Sequence, residues 1–140
     1  MLVDIDIIDW AAISPLGLSK EEIWDSYCQP LHCLDLQNEW GGSLKNTGEA
    51  IISGLKTENN KYKNLDRTTL LAMAAGRKLA HNNIIKASCG VNIGSSRGAT
   101  EQLEFHHANF IQTENCFPSA SPNTTLGNLS SWLAQDLKTQ

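Results

Sequence analysis

Near the start of the chain, Val3, Ile5 and Ile7 alternate with Asp4 and Asp6. A period of two sends successive side chains to opposite faces, so this stretch is expected to be a strand with one buried and one wet face. Ser14-Pro15-Leu16-Gly17 reads as a turn, because proline fixes φ and glycine tolerates positive φ. Ser19 can then cap a short helix. Glu21 and Glu22 fall in its first turn, where the helix dipole favours negative charge, and Ile23, Trp24 and Tyr27 supply apolar contact surface. From Pro30 to Lys63 no periodicity is sustained. Gly41-Gly42 and Glu58-Asn59-Asn60-Lys61 read as loops, and Glu49 to Leu55 as a short strand.

From Asp66 to His81 the pattern becomes helical, with Leu71, Ala75 and Leu79 spaced by four and Asn64 or Asp66 available as the N-cap. A second row, Ala72, Gly76 and Ala80, is entirely small. Such a row lets another backbone approach closely, which predicts a helix buried in a layered α/β core and ended by Asn82 and Asn83. Cys89 to Ile93 is a strand candidate that runs into Gly94-Ser95-Ser96-Arg97-Gly98 and then a helix from Ala99 to Ile111. After a loop holding Pro118 and Pro122, Leu126, Leu129, Leu133 and Leu137 mark one face of a last helix. A domain of this type would return to its sheet with a further strand, so the end at Gln140 reads as a truncation that leaves sheet edges and apolar faces open to self-association.

At 140 residues one domain spanning 1–140 is expected. With 41% hydrophobic and 19% charged residues it belongs with globular rather than disordered chains. The net charge of -4, with both signs interspersed, supplies no concentrated positive field for phosphates, which argues against nucleic acid as a partner. Met1 to Trp10 carries three aspartates and no basic residue, unlike a signal peptide, and no apolar run is long enough to span a bilayer. A cytoplasmic location without a membrane partner is therefore expected. Cys28, Cys33, Cys89 and Cys116 should be reduced there, and the sequons at Asn123 and Asn128 are coincidental.

The Gly94 to Gly98 segment fits the Gly-x-Ser-x-Gly pattern of a hydrolase nucleophile elbow, with a strand before it and a helix after it. Ser96 would then be the nucleophile of a serine hydrolase, and it would need a base and an acidic orienter further along the chain. His106, His107, Glu101 and Glu104 all lie on the helix that starts at the elbow, so the triad cannot close. A second reading is structural: the glycines allow a sharp turn and Ser95 or Ser96 caps the helix. A third is a phosphate-cradling loop, although the Gly-x-Gly spacing and the Walker lysine are missing.

Four segments in order resemble the first part of a β-ketoacyl synthase. Asp9-Trp10-Ala11-Ala12-Ile13-Ser14-Pro15-Leu16-Gly17, followed by Ser19-Lys20-Glu21-Glu22-Ile23-Trp24, is similar to the family's opening strand, turn and helix. Asp66-Arg67 with Leu71 to Ala80 resembles its next buried helix, and Gly90 to Glu101 its strand and Gly-Ser-rich loop. Ser121-Pro122-Asn123-Thr124-Thr125 with Gly127-Asn128-Leu129-Ser130-Ser131 resembles the helix before its nucleophile strand. The matches cover most of the chain except Pro30 to Lys63.

The resemblance implies an α/β fold of the thiolase-like layered type, represented by an incomplete N-terminal half. It implies decarboxylative Claisen condensation in the complete enzyme, within fatty acid, polyketide or pigment biosynthesis. A cysteine takes the acyl group, and malonyl thioester on acyl carrier protein supplies the carbanion, with an oxyanion hole and two assisting histidines. The cysteine is expected beyond Gln140 and the histidines in the family's second half. The chain alone is thus expected to have no catalytic residue and no activity, and to need no cofactor. Partners implied are acyl carrier protein and a second ketosynthase subunit, as homodimer or heterodimer; the alternative is a non-catalytic ketosynthase-like protein that binds acyl carrier protein or a partner ketosynthase. Ser95, Ser96, Arg97 and Gly98 would face the acyl tunnel. Arg97 stands where the family often has an apolar residue, so a short, polar or aromatic acyl group is implied, unless Arg97 is simply a solvated cation near a helix start.

Cys28, His32 and Cys33 invite a zinc reading, but no fourth ligand or second pair accompanies them, so no metal is expected. Adjacent helical residues point in different directions, so one of His106 and His107 should pack and the other be solvated. His81 should interact with the last carbonyls of its helix. Trp10, Trp24, Trp40 and Trp132 read as core or interface anchors.

Overall fold

A computed structural model describes residues 4–30, 32–36, 40–83, 85–125 and 127–139. Among them stand six helices and one two-stranded sheet, so the chain is a mixed protein dominated by helix. In chain order the elements are α1 (Lys20–Cys28), β1 (Asp35–Leu36), β2 (Trp40–Gly41), α2 (Asn46–Glu58), α3 (Arg67–Asn82), α4 (Thr100–Thr113), α5 (Ala120–Thr124) and α6 (Asn128–Leu137). The strands pair antiparallel, with Asp35 opposite Gly41 and Leu36 opposite Trp40.

The core is built where α2, α3 and α6 meet. Ile52 and Leu55 of α2 pack with Leu65 and with Leu70, Met73 and Ala74 of α3, and Ile13, Leu44, Tyr62, Leu71 and Trp132 close over them. Leu70 and Met73 are fully enclosed. On the other side of α3, Gly76 meets α6. A Cβ on Gly76 would lie 2.5 Å from Leu133 Cδ1 and 3.3 Å from its Cγ, so the missing side chain is what admits the leucine. Gly76 of the small row thus admits a leucine side chain, whereas no sheet packs on the row among the described residues.

Among the described residues, three ion-pair clusters pin the helices. Arg77 of α3 donates to Asp136 of α6 through Nε and Nη2, at 2.7 Å each, and to Glu58 of α2 at 2.6 and 2.9 Å. Tyr62 adds a bond from its hydroxyl to Asp136 at 2.9 Å. Arg67 forks onto Glu49 across α3 and α2. Asp9 accepts from Lys20 of α1 and, at 2.7 Å, from Asn83 at the end of α3.

Local chemistry accounts for the ends of several elements. Ser14 and Gly17 exchange backbone hydrogen bonds at 3.1 and 3.3 Å across the expected turn. Ser19 caps α1, and Glu22 reaches back to the cap amide in a reciprocal capping box. Asp66, not Asn64, caps α3, and Asn83 ends it.

Several expectations are corrected. Glu49 to Leu55 is helix, within α2, because Gly48, Ile52 and Leu55 form a buried stripe at helical spacing that a seven-residue window reads ambiguously. Residues 4–8 and 89–93 are not strands: neither joins a ladder among the described residues, and a strand without a partner leaves its backbone bonds unmade. Ile5 and Ile7 are 89% and 90% exposed, so the alternation near the start buries nothing. Val3 of that pattern and Leu126 of the last-helix pattern lie outside the described residues. Leu129 and Leu133 do face inward from α6. The loop with Pro118 and Pro122 contains α5, which tolerates Pro122 in its first turn. Trp24 and Tyr27 of α1 are exposed, as are Trp10 and Trp40, which leaves Trp132 as the tryptophan packed on the core. No helix among the described residues is long and apolar enough to cross a membrane.

Candidate functional site

The loop before α4 is shaped by one glycine. Gly98 has φ of 63°, in the left-handed region where a side chain is strained, and it turns the chain into the helix. Ser95 Oγ accepts from the Gly98 amide at 3.0 Å, which closes the loop upon itself. Thr100 donates back to the Arg97 carbonyl at 3.3 Å. Ser95, Ser96 and Arg97 are exposed, whereas Gly98 and Ala99 are buried.

The N-cap of α4 is Ala99, which has no side chain able to cap, so neither Ser95 nor Ser96 performs the role expected of it. Asp66 supplies the acceptor instead. Its Oδ1 takes the Thr68 amide of α3 at 2.7 Å, and its Oδ2 takes the Gln102 amide in the first turn of α4 at 3.3 Å. One buried carboxylate therefore serves two helix starts, where amide groups are left without helical partners. A side chain 36 residues away capping a second helix leaves no local pattern in the sequence.

Ser96 makes no hydrogen bond to a histidine or carboxylate among the described residues. His106 packs edge-on between Phe105 and Phe117, with ring centroids 5.3 and 6.0 Å apart, while His107 is exposed, which is the division expected of adjacent helical residues. His81 bonds Asn82 Oδ1 at 3.2 Å, and the terminal carbonyls of α3 are taken by Asn83 instead. The four cysteines are free thiols, Cys28 and Cys116 exposed and Cys33 and Cys89 half-buried. His32 stands edge-on to Trp40, and no group of three or more His, Cys, Asp or Glu among the described residues is arranged to hold a metal.

Two segments that precede this loop reach α3. Ala11 from the N-terminal segment and Ile93 from the segment before the loop lie with Ala72, Ala75, Gly76, Leu79 and Leu133 around a shallow apolar cleft of about 270 Å³. Compared with known proteins, the sequence matches no family and no curated protein. The chemistry of the site therefore rests on its own residues. Without a paired base, the Ser95 to Gly98 loop offers hydroxyls and a guanidinium for positioning a ligand rather than a nucleophile for attacking one.

The strongest electrostatic perturbation lies away from this loop, in the Arg77 cluster. Burial pushes the Asp136 carboxyl upward, but hydrogen bonds from Arg77 and Tyr62 and the guanidinium charge together hold it below its ordinary value. The hydrogen bond from Arg77 likewise lowers Glu58, and the two carboxylates raise Arg77 further above its usual range. Asp9 is lowered to about 2 by its bonds from Lys20, Asn83 and the Trp10 amide. These groups hold elements together.

Proposed function

We propose that the chain is the N-terminal portion of a β-ketoacyl synthase with the thiolase-like layered fold. In the complete enzyme a thiolate attacks an acyl thioester, expels the carrier thiol and holds the acyl group. Malonyl-acyl carrier protein then loses carbon dioxide, and its carbanion attacks the held acyl carbon to regenerate the thiolate. The cysteine and histidine pair for this have no counterpart at matching positions in these residues, so the chain alone is inactive.

The observation that carries the reading is the cleft on α3. The two segments that resemble family strands each bring one residue to it, Ala11 and Ile93, beside Ala72 and Gly76 of the helix that resembles the family's buried helix. A layered core would bring such segments onto such a helix, and their nearness supports the reading although neither forms a strand among the described residues. In the complete enzyme Ser95, Ser96, Arg97 and Gly98 line the acyl channel, and the Arg97 cation favours a short, polar or aromatic acyl group, because an unpaired buried charge is costly.

The test is to translate and express the reading frame beyond Gln140 and to assay carbon dioxide release and 3-oxoacyl product from malonyl-acyl carrier protein. A cysteine-bearing extension that condenses acyl groups supports the proposal; such an extension with no condensing activity defeats it. In the active protein Arg97→Ile should broaden acceptance of long acyl thioesters, and an unchanged chain-length profile would reject the role of Arg97. A second reading, a non-catalytic ketosynthase-like protein that binds acyl carrier protein or a partner ketosynthase subunit, is favoured by apolar residues left exposed on α4, Leu103 at 54% and Ile111 at 67%. A stop codon directly after Gln140 would select it. A serine hydrolase acting through Ser96 gains no support from the geometry, and esterase substrates should show no turnover.

A further inference from the structure

A cleft of about 380 Å³ lies between α4, the end of α2, the chain leading into α3 and the chain leading into α5. This is within the size range of small-molecule sites, roughly 300–1,000 Å³. Three features converge there. Phe105 and Phe117 both line it and remain 57% and 48% exposed, so they present flat apolar surface to whatever enters. Lys56 and Lys63 line it too, and neither is engaged in an ion pair among the described residues. Glu101 is the one carboxylate in the lining, which leaves an excess of positive charge.

The third feature is His106. Both of its ring nitrogens are sealed from solvent and neither has a hydrogen-bond partner among the described residues, although the residue lines the cleft. An imidazole always carries at least one N–H donor, and leaving a buried polar group unsatisfied is destabilising. Buried orphans of this kind call for a partner that arrives from outside. An anionic oxygen is the partner that suits an N–H in a cleft also lined by two lysines.

We infer that this cleft binds a small organic anion built on a flat ring, an aryl phosphate or aryl carboxylate. The ring packs against the exposed surfaces of Phe105 and Phe117. Its anionic group takes the His106 N–H and the Lys56 and Lys63 ammonium groups once a turn of the neighbouring phenyl rings uncovers the imidazole. The inference uses none of the residues of the proposed acyl loop and stands whether or not the ketosynthase reading does.

The test is titration of the purified, isotope-labelled chain with phenyl phosphate and, separately, benzoate, following the side-chain nitrogen signals of the histidines. The His106 signals should move with a Kd of about 1 mM or tighter, while those of exposed His107 stay in place. The stronger of the two probes identifies the anionic group. Phenol and inorganic phosphate, each carrying half of the recognised chemistry, should bind at least about tenfold more weakly, as should phenyl phosphate to the Lys56→Met/Lys63→Met variant. His106→Leu should lose binding while keeping or raising the melting temperature, because it removes an unpartnered polar group. His106 signals unmoved by about 10 mM of either probe would overturn the inference. So would undiminished binding by His106→Leu, or inorganic phosphate binding as tightly as phenyl phosphate. If His106→Leu fails to fold, the lysine variant and the phosphate comparison still decide.

Discussion

Removing Arg77 tests whether the three-helix core is held by charge as well as by packing. In Arg77→Met the apolar stem remains but four hydrogen bonds go, two to Asp136 and two to Glu58. The two carboxylates are not equivalent. The Asp136 side chain is 4% exposed and that of Glu58 53%, so only Asp136 is left as a buried charge, with Tyr62 as its remaining donor. Breaking a buried pair by removing one partner destabilises by about 3–5 kcal/mol. Because Arg77 is itself one-third exposed, the lower end applies, about 3 kcal/mol. Asp136→Asn should lose less, about 2 kcal/mol, since Arg77 keeps Glu58 and the amide keeps one acceptor. Glu58→Gln should lose under about 1 kcal/mol. Urea unfolding of the three variants and of the Arg77→Met/Asp136→Asn double variant gives a cycle, with an expected coupling of about 1–3 kcal/mol. Equal losses for Asp136→Asn and Glu58→Gln, or a loss below about 1 kcal/mol in Arg77→Met, would refute the assignment of strength to burial.

Acid should expose the same cluster. The folded Asp136 carboxyl sits below its ordinary value, so its contribution is full above the unfolded value of about 4 and is lost as pH falls through the folded one; urea midpoints should decline below about pH 4, less steeply in Asp136→Asn. Leu70→Ala should destabilise by about 2–5 kcal/mol, because Leu70 is fully enclosed, and a calorimetric loss under about 1 kcal/mol would show that the core relaxes around it. Asp66→Ala should lose about 2–4 kcal/mol through two orphaned amides and Asp66→Asn clearly less, with hydrogen exchange at Thr68 and Gln102 accelerating together in the alanine variant; acceleration at Thr68 alone would dismiss the bond to α4. The exposed Ile5, Ile7, Leu103 and Ile111 predict concentration-dependent association by light scattering, and a strictly monomeric species would count against it.

Helix ends were written locally, and the sequence reads them well. Ser19 with Glu22, Asp66 before Arg67, and Asn83 after Asn82 each act within a few residues of their own position. The small row on α3 was also legible, since composition alone predicts a close neighbour; that the neighbour is Leu133 was not. Strands fared worst. Ile5 and Ile7 have the right alternation, but a strand is defined by a partner, and alternation says nothing about whether one exists. Glu49 to Leu55 misled for another reason: its two isoleucines favour a strand locally, and burial of Ile52 and Leu55 against α3 selects the helix. At the loop before α4, the turn at Gly98 followed from glycine, whereas the Asp66 bond to Gln102 depends on a tertiary approach no motif encodes. One of His106 and His107 was expected to pack; that it is His106, and that its two ring nitrogens are left without partners among the described residues, emerges only from the surroundings.

Asp9 has a practical meaning for anyone handling the protein. It is moored to Lys20 of α1 and to Asn83 behind α3, while Ile5, Ile7 and Ile8 just before it are almost wholly exposed. A protease that needs an extended, accessible stretch should nibble up to this knot and stall there. Cuts ahead of Asp9 trim the molecule, whereas a cut between Asp9 and Ser19 would detach the moored end from α1.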